Sequence, residues 1–525
     1  MLAPTKINSP AMDALLIATI AFVFVLMPLG MAPLFDKDEG AFCEATREMI
    51  ASGDYLMTYL NGAPRYDKPI LIYWLQAVSV HTFGLSEFAL RLPSAIAAML
   101  WSLITYRFAR RVISREAAFI ASLAILTALQ PSIVGKAAIA DALLNLLIAG
   151  SMFALYDFYE TRLDRHLYAA VVFIALGTLT KGPIAILIPF LSSLVFCLTY
   201  RRFDLWKYSM SRRWAWILYG AIVLPWPIAA YIDQGNDLLF AWVMEQTVYR
   251  AAKPLEGHGG SLFYYIPVML LGTLPLTAPV LGVLWNARTS HAQFLDRFLL
   301  VWFLTVFVMF SLLGTKLPHY VVYGYTPLFI LAGRRIAELR HGASLGIPAA
   351  ALSLLVLALP FLVPMVRERI DDSFAVAMLS DLEGVFPVSY FLTAGLASAL
   401  GILACFRYIP PRARLVAACI AVSLSVNFAA VPAASRLMQE PVRDAALLAR
   451  EKGWDVVLYD FKMPSFLFYR EALAVEGRLP QDGEIVVTKM GELQKLQELG
   501  AVTGIQEMLY EKRGIVMARV SSAIK

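Results

Sequence analysis

The chain has 525 residues, 59% of them hydrophobic, with a mean hydropathy of +0.65, a formal net charge of +6 and four cysteines. A soluble globular protein averages only about 45–50% apolar residues, so this composition excludes an ordinary soluble enzyme and points to a multi-span membrane protein. The positive balance does not mark a nucleic-acid binder, because the basic residues fall in short clusters between apolar runs, which is the pattern of membrane topology.

In chain order, residues 11–34 form the first apolar run. Its length of about 24 residues is enough to span a bilayer, and no small-residue cleavage site follows it, so a retained helix is predicted. The next stretch, residues 36–68, is the polar exception in an apolar chain: DKDEGAFCEATREMIASGDYLMTYLNGAPRYDK. Asp36, Asp38, Glu39, Glu44, Arg47, Asp67 and Lys68 lie in one loop between bilayer-length segments, and charge that is costly to hold at a membrane suggests function. The alternative is that Asp38 only caps a helix beginning at Glu39. Residues 39–52 and 69–83, too short to cross, are predicted as interfacial helices, the second started by Pro69.

Beyond residue 89 the chain spans again and ends in Arg107, Arg110, Arg111 and Arg115, a cluster that the positive-inside rule places in the cytoplasm. Further clusters follow around Arg162, Arg202, Arg297, Arg334 and Arg412, and all should share that side. Residues 116–159, 167–200 and 298–333 must then be hairpins turning on the outer face. Residues 214–231 pair with 262–285 and residues 345–366 with 386–406, while 413–431 adds a last span. The total is about thirteen transmembrane helices, with the N-terminus inside and the C-terminus outside. The expected organisation is a transmembrane unit over residues 1–434, whose outer-face loop 35–88 carries the interfacial helices, and a small extracytoplasmic α/β domain over 435–525. In that domain residues 454–459, 484–488 and 514–520 read as strands and 441–452 and 491–499 as helices.

Three outer hairpin tips each carry a lysine: Lys136, Lys181 in TKGP, and Lys316 in TKLPHY. Lysine there runs against the topological bias, and a lipid phosphate at headgroup depth would account for it; snorkelling or, for Lys136, pairing with Asp141 would also do so. The outer loop around Arg250, Lys253 and His258 reads as a lid or as solvated chain. Cys197, Cys405 and Cys419 lie in apolar segments, so with Cys43 they offer neither a disulfide framework nor paired metal spacing.

Asp38-Glu39 with ATREM (45–49), RYDKPILIYW (65–74), Lys136 with Asp141, TKGP (180–183) and KLPHYVVYGYTP (316–327) together resemble the bacterial GT-C glycosyltransferases. Within these the chain is most similar to the family of aminoarabinose transferases and protein mannosyltransferase-like proteins, which use polyprenyl-phosphate sugars. The resemblance covers the whole chain and implies inverting transfer of a sugar from a polyprenyl-phosphate donor to a lipid A-like or other envelope acceptor, on the outer face of the bacterial inner membrane. It implies catalytic roles for Asp38, Glu39 and Asp141, donor phosphate contacts from Lys68, Lys316, Tyr320, Arg47 and Lys181, and a lid carrying Arg250 and Lys253. The chain departs from the aminoarabinose pattern at Ala41, where that branch carries arginine, which leaves sugar and acceptor open. No metal ligand spacing is recognisable, although a divalent metal is compatible with the chemistry. The competing reading is a multi-span secondary transporter or lipid flippase, which would place ionisable groups near the midplane between matching halves rather than at one face. A membrane anchor for the terminal domain would leave the acidic loop unexplained.

Overall fold

The computed structural model describes residues 10–240, 259–287, 293–338 and 343–522. Every expected crossing coincides with a helix or a run of helices. These are Pro10–Gly30, Glu87–Val112, Arg115–Thr127 continued by Leu129–Val134, Asp141–Thr161, Asp164–Lys181, Ile184–Thr199 and Arg213–Val223 continued by Pro225–Gln234. Then come Tyr265–Gly272 with Thr277–Trp285, Phe294–Leu312, Tyr325–Glu338, Ala343–Arg367, Val388–Leu403 and Pro411–Met438. Among the described residues, 6 helices are long and apolar enough to cross singly, or 7 when the pair bent by 44° at Pro225 counts as one span. The rest are shorter, and Pro225 shows one cause: proline lacks the N–H that would continue the ladder.

Helix Asp141–Thr161 is the axis of the bundle. Its apolar window is 94% buried inside the protein, against 22% for Ser344–Arg367 at the periphery. A helix apolar on every side belongs in a core, so Asp141, at its N-terminus, is carried into the interior.

The basic clusters gather at the opposite end of the bundle. Arg111 pairs with Asp157, Arg212 lies 3.2 Å from Asp164, and Arg297 donates to the Thr199 carbonyl at 2.7 Å. Buried Asp13 accepts from Arg115 at 2.5 Å and also from Arg412, joining the first span to two others. Residues 111, 157, 164, 212 and 412 thus share one end, and Asp141, Lys181 and the 36–68 loop sit at the other.

In that loop the first helix is Asp38–Ser52, one residue earlier than expected. Lys37 holds the N-cap position and no side-chain cap bond is made, so Asp38 does not serve as a cap. The second helix is Leu71–Phe83, with Pro69 two residues outside it. Between them Tyr59–Leu60 and Ala63–Pro64 pair antiparallel around Asn61 and Gly62, whose φ values of 54° and 74° are those of a tight hairpin turn.

The C-terminal part contains a 5-stranded sheet ordered Val475–Glu476, Val456–Leu458, Ile485–Lys489, Ile515–Ser521, Gly504–Lys512. Its first pairings are parallel and its last antiparallel. Helices Glu440–Glu451, Ser465–Arg470 and Met490–Glu498 accompany it. Its core is continuous with the end of the bundle that carries the 36–68 loop: Val442, Phe466 and Tyr469 share one buried cluster with Leu34, Cys43, Val80 and Leu90.

Candidate functional site

A cavity of about 420 Å³ opens at the end of the bundle that carries Asp141, Lys181 and the 36–68 loop. Lys68, Lys181, Tyr320 and Tyr323 lie along it, while much of the remaining wall is apolar, including Leu187, Val223, Trp226 and Phe310. Cations at one part of an apolar trench make a site shaped for an amphiphile with an anionic head.

Each cation arrives from a different element. Lys68 follows the Asn61-Gly62 hairpin and donates to the Asp67 carbonyl at 3.0 Å. Lys181 ends helix Asp164–Lys181, with Gly182 at φ 72° turning the chain into the next helix. Its ammonium donates to Asp141 Oδ1 at 2.6 Å and to the Tyr323 hydroxyl at 3.0 Å, and lies 5.6 Å from the centre of the Tyr320 ring. Tyr323 also donates to Asp141. An ammonium has three N–H donors, so among the described residues Lys181 keeps one beyond these two bonds.

His319 connects this network to the acidic loop. Its Nε2 lies 3.7 Å from Asp141 Oδ1, and both Asp38 and Lys68 act electrostatically on the ring. Burial foremost holds the imidazole below its ordinary range; Lys181 and Lys68 add to that, against the pull of Asp141 and Asp38. His319 is therefore neutral at pH 7. Asp38 itself is exposed and, among the described residues, its carboxylate makes no hydrogen bond; it is not one of the residues that line the cavity. It also faces Arg65, whose guanidinium lies over the Phe42 ring at 5.1 Å and 3.3 Å from Asp67.

Glu39 is placed differently from Asp38. Its carboxylate is buried and accepts from Arg91 Nε at 2.7 Å, Arg91 Nη2 at 2.8 Å, and the amides of Phe35 and Ala138, each at 2.8 Å. Burial raises its proton affinity, but Arg91 and these amides outweigh it and hold the group below the usual carboxylate range. These four bonds tie Glu39 to the frame of the loop. Arg91 completes the frame by donating to the carbonyls of Leu29, Ala32 and Pro33.

Two expected phosphate contacts do not reach the cavity. Lys316 is buried and gives its ammonium to the carbonyls of Ser311 and Leu313, both at 2.8 Å, at the C-terminal end of a helix where a cation is favoured. Arg47 makes a two-toothed pair with Glu44 at 2.7 and 2.8 Å and lies toward Glu471 of the C-terminal part. Lys136 is also turned inward: it donates to Asn427 Oδ1 at 2.7 Å, and burial with nearby Arg91 pushes its ammonium down to about 7. Arg250, Lys253 and His258 lie outside the described residues. Among the described residues no three His, Cys, Asp or Glu side chains gather as a metal site.

Sequence alone does not single out Arg91, Arg65 or His319. The available signal is Arg91 itself, an arginine within an apolar helix that must find a partner.

The family model for dolichyl-phosphate-mannose-protein mannosyltransferases matches residues 67–229, the segment that supplies Lys68, Asp141 and Lys181. The chain is 30% identical over 327 residues to an undecaprenyl phosphate-alpha-4-amino-4-deoxy-L-arabinose arabinosyl transferase of Aeromonas hydrophila, covering 60% of this chain and 58% of that one. It is 31% identical over 333 residues to the corresponding transferase 2 of Sodalis glossinidius, covering 61% and 58%. The matched region thus spans less than two thirds of these relatives. In three dimensions the likeness extends further: ArnT from Cupriavidus metallidurans bound to undecaprenyl phosphate superposes with a TM-score of 0.78 at 20% identity, covering 97% of this chain and 98% of that one. The chain thus shares the fold of ArnT and is similar over part of its length to the aminoarabinose transferases and to the protein mannosyltransferase model. A weaker fold likeness is to the archaeal oligosaccharyltransferase AglB from Archaeoglobus fulgidus, with a TM-score of 0.53 at 12% identity, covering 93% of this chain and 69% of that one. The GT-C fold accounts for both halves of the structure, a multi-pass membrane-embedded bundle and a small mixed-sheet unit packed on one end.

Proposed function

We propose that this protein is an inverting glycosyltransferase that moves a sugar from a polyprenyl-phosphate donor to a lipid A-like or other envelope acceptor at the outer face of the inner membrane. The observation that carries this reading is the cavity that joins Lys68 and Lys181 to apolar walls, with Lys181 paired to Asp141 and both Asp38 and Asp141 acting electrostatically on His319. The curated relatives are named for undecaprenyl-phosphate-linked transfer, and one similar structure holds undecaprenyl phosphate. These likenesses favour glycosyl transfer over transport. The basic clusters at the opposite end of the helices support an outward-facing site.

In this reading the prenyl chain lies along the apolar wall and the phosphate meets Lys68 and the remaining donor of Lys181. An acceptor oxygen attacks the anomeric carbon from the face opposite the phosphate, the bond from that carbon to the phosphate oxygen breaks, and polyprenyl phosphate leaves carrying the bonding electron pair. Negative charge grows on the leaving phosphate, which cations fixed in a water-poor site stabilise best. A hydroxyl acceptor gives its proton to Asp38, whereas an acceptor that is already anionic uses Asp38 for orientation. Asp141 holds Lys181 in place, and neutral His319 is available as a hydrogen-bonding group between the carboxylates.

Mass spectrometry of envelope glycolipids from cells carrying the wild-type chain or Lys68→Gln tests this directly. A glycolipid should lose its added sugar in the variant, and identical glycolipid and glycoprotein profiles with and without the gene would contradict the proposal.

A further inference from the structure

Among the described residues the Asp38 carboxylate makes no hydrogen bond, yet the residues on either side of it are tied to the C-terminal part of the chain, more than 400 positions away in sequence. Asp36 accepts from the Ser465 amide at 2.9 Å and from the Ser465 hydroxyl. The Leu34 amide donates to the Tyr469 hydroxyl at 2.8 Å, and that hydroxyl donates onward to Glu87 Oε1 at 3.0 Å. Gly40 lies directly beneath Ser465: an added Cβ would sit 2.2 Å from Asp36 Oδ1 and 2.7 Å from the Ser465 nitrogen, closer than real Cβ atoms come. The hairpin leading to Lys68 is held from the same side. The Asn61 amide nitrogen donates to the Ala474 carbonyl at 2.9 Å and to Glu476 at 2.8 Å, and the Ala474 amide returns a bond of 2.9 Å. Phe466 and Tyr469 share a buried apolar cluster with Leu34 and Cys43.

Resting on the glycosyl-transfer reading above, we propose that Ser465 and Tyr469 are positioning residues for catalysis, fixing the 34–40 segment so that Asp38 faces the anomeric carbon. The frame inside the bundle, Glu39 with Arg91, sets one side of this segment and the Ser465–Tyr469 helix sets the other. Neither residue touches the cavity, so their effect belongs to turnover and not to donor affinity. Reactive geometry is sensitive to displacements of about 1 Å, which can cost as much as ~100-fold in rate.

The test uses full-length protein in lipid nanodiscs and the variants Ser465→Ala, Tyr469→Phe and both together. Hydrogen exchange at residues 34–41 is measured beside kcat, donor KM and undecaprenyl phosphate affinity. The double variant should exchange faster at these residues and lose about tenfold or more in kcat, with KM and undecaprenyl phosphate affinity unchanged. Unchanged exchange would overturn the proposal whatever the protein catalyses. Faster exchange with wild-type kcat, or a kcat loss matched by weaker phosphate binding, would also overturn it. Should the double variant fail to accumulate, Ser465→Ala, which deletes one hydroxyl, is read alone. Faster exchange in a protein whose wild type transfers no sugar would refute the glycosyl-transfer reading while leaving the anchoring contact standing.

Discussion

Lys68 and Lys316 illustrate how much a single contact changes the meaning of a residue. Both are lysines at the same end of the bundle, but Lys68 lines the cavity whereas Lys316 spends its ammonium on the carbonyls of Ser311 and Leu313. Lys68→Gln should therefore weaken undecaprenyl phosphate binding by the value of one charge-assisted contact, about 1.5–3 kcal/mol. Lys316→Gln should leave that affinity within twofold and lower thermal stability instead. Calorimetric titration of both variants separates the two, and equal losses of affinity would refute the assignment. A second residue-scale expectation concerns pH. Burial pushes the Asp36 carboxyl from 3.8 up to about 7, and likewise Glu44 from 4.5 up to about 7, so the folded protein holds these protons more tightly than the unfolded chain. That contribution to stability is complete below the unfolded values and is lost as pH rises toward 7. The melting temperature should fall between about pH 5 and 7.5, and Asp36→Asn with Glu44→Gln should flatten the fall.

At the scale of elements, helix Asp38–Ser52 gains its setting from a buried ion pair more than from its own sequence. Glu39→Gln would leave the Arg91 guanidinium buried without its counter-charge, and removing one partner of such a pair costs about 3–5 kcal/mol. The variant should accumulate poorly or melt far lower, while Asp38→Asn should melt like wild type. Comparing their unfolding transitions shows whether the neighbouring carboxylates have different jobs. The helices were legible in the sequence because apolar runs of bilayer length leave few alternatives, as residues 141–161 show. The strand Gly504–Lys512 was not. Its sequence GIQEMLYEK lacks alternation, much of it is exposed, and its pairing with Ile515–Ser521 has register shifts between Ile505 and Glu507 and between Met508 and Tyr510. Likewise TKLPHY marks a conspicuous lysine, but the fold of its own turn directs Lys316 to backbone carbonyls while His319 reaches Asp141. Sequence position identifies which residues sit near the cavity end of the bundle; which of them face the cavity depends on packing between segments far apart in the chain.

For the whole molecule, the separation of the two ends is the organising fact. Basic clusters meet at one end through Asp13, Asp157 and Asp164, and Asp38, Lys68, Asp141 and Lys181 meet at the other. In a Cys405→Ala background, Asp482→Cys should react with a membrane-impermeant thiol reagent applied outside spheroplasts, and Lys207→Cys should not. The reverse pattern would place the cavity on the cytoplasmic side and remove its access to an outer-face acceptor. The central claim is that the Asp38 carboxylate, together with a cationic, apolar-walled cavity, drives sugar transfer from a lipid-linked donor. Single-turnover transfer from a polyprenyl-phosphate sugar by purified wild type and Asp38→Asn, measured together with undecaprenyl phosphate affinity, tests it most directly. The account predicts equal affinity and a turnover lower by about 100-fold or more in the variant, the scale of a lost general base. Near wild-type transfer by Asp38→Asn would contradict it.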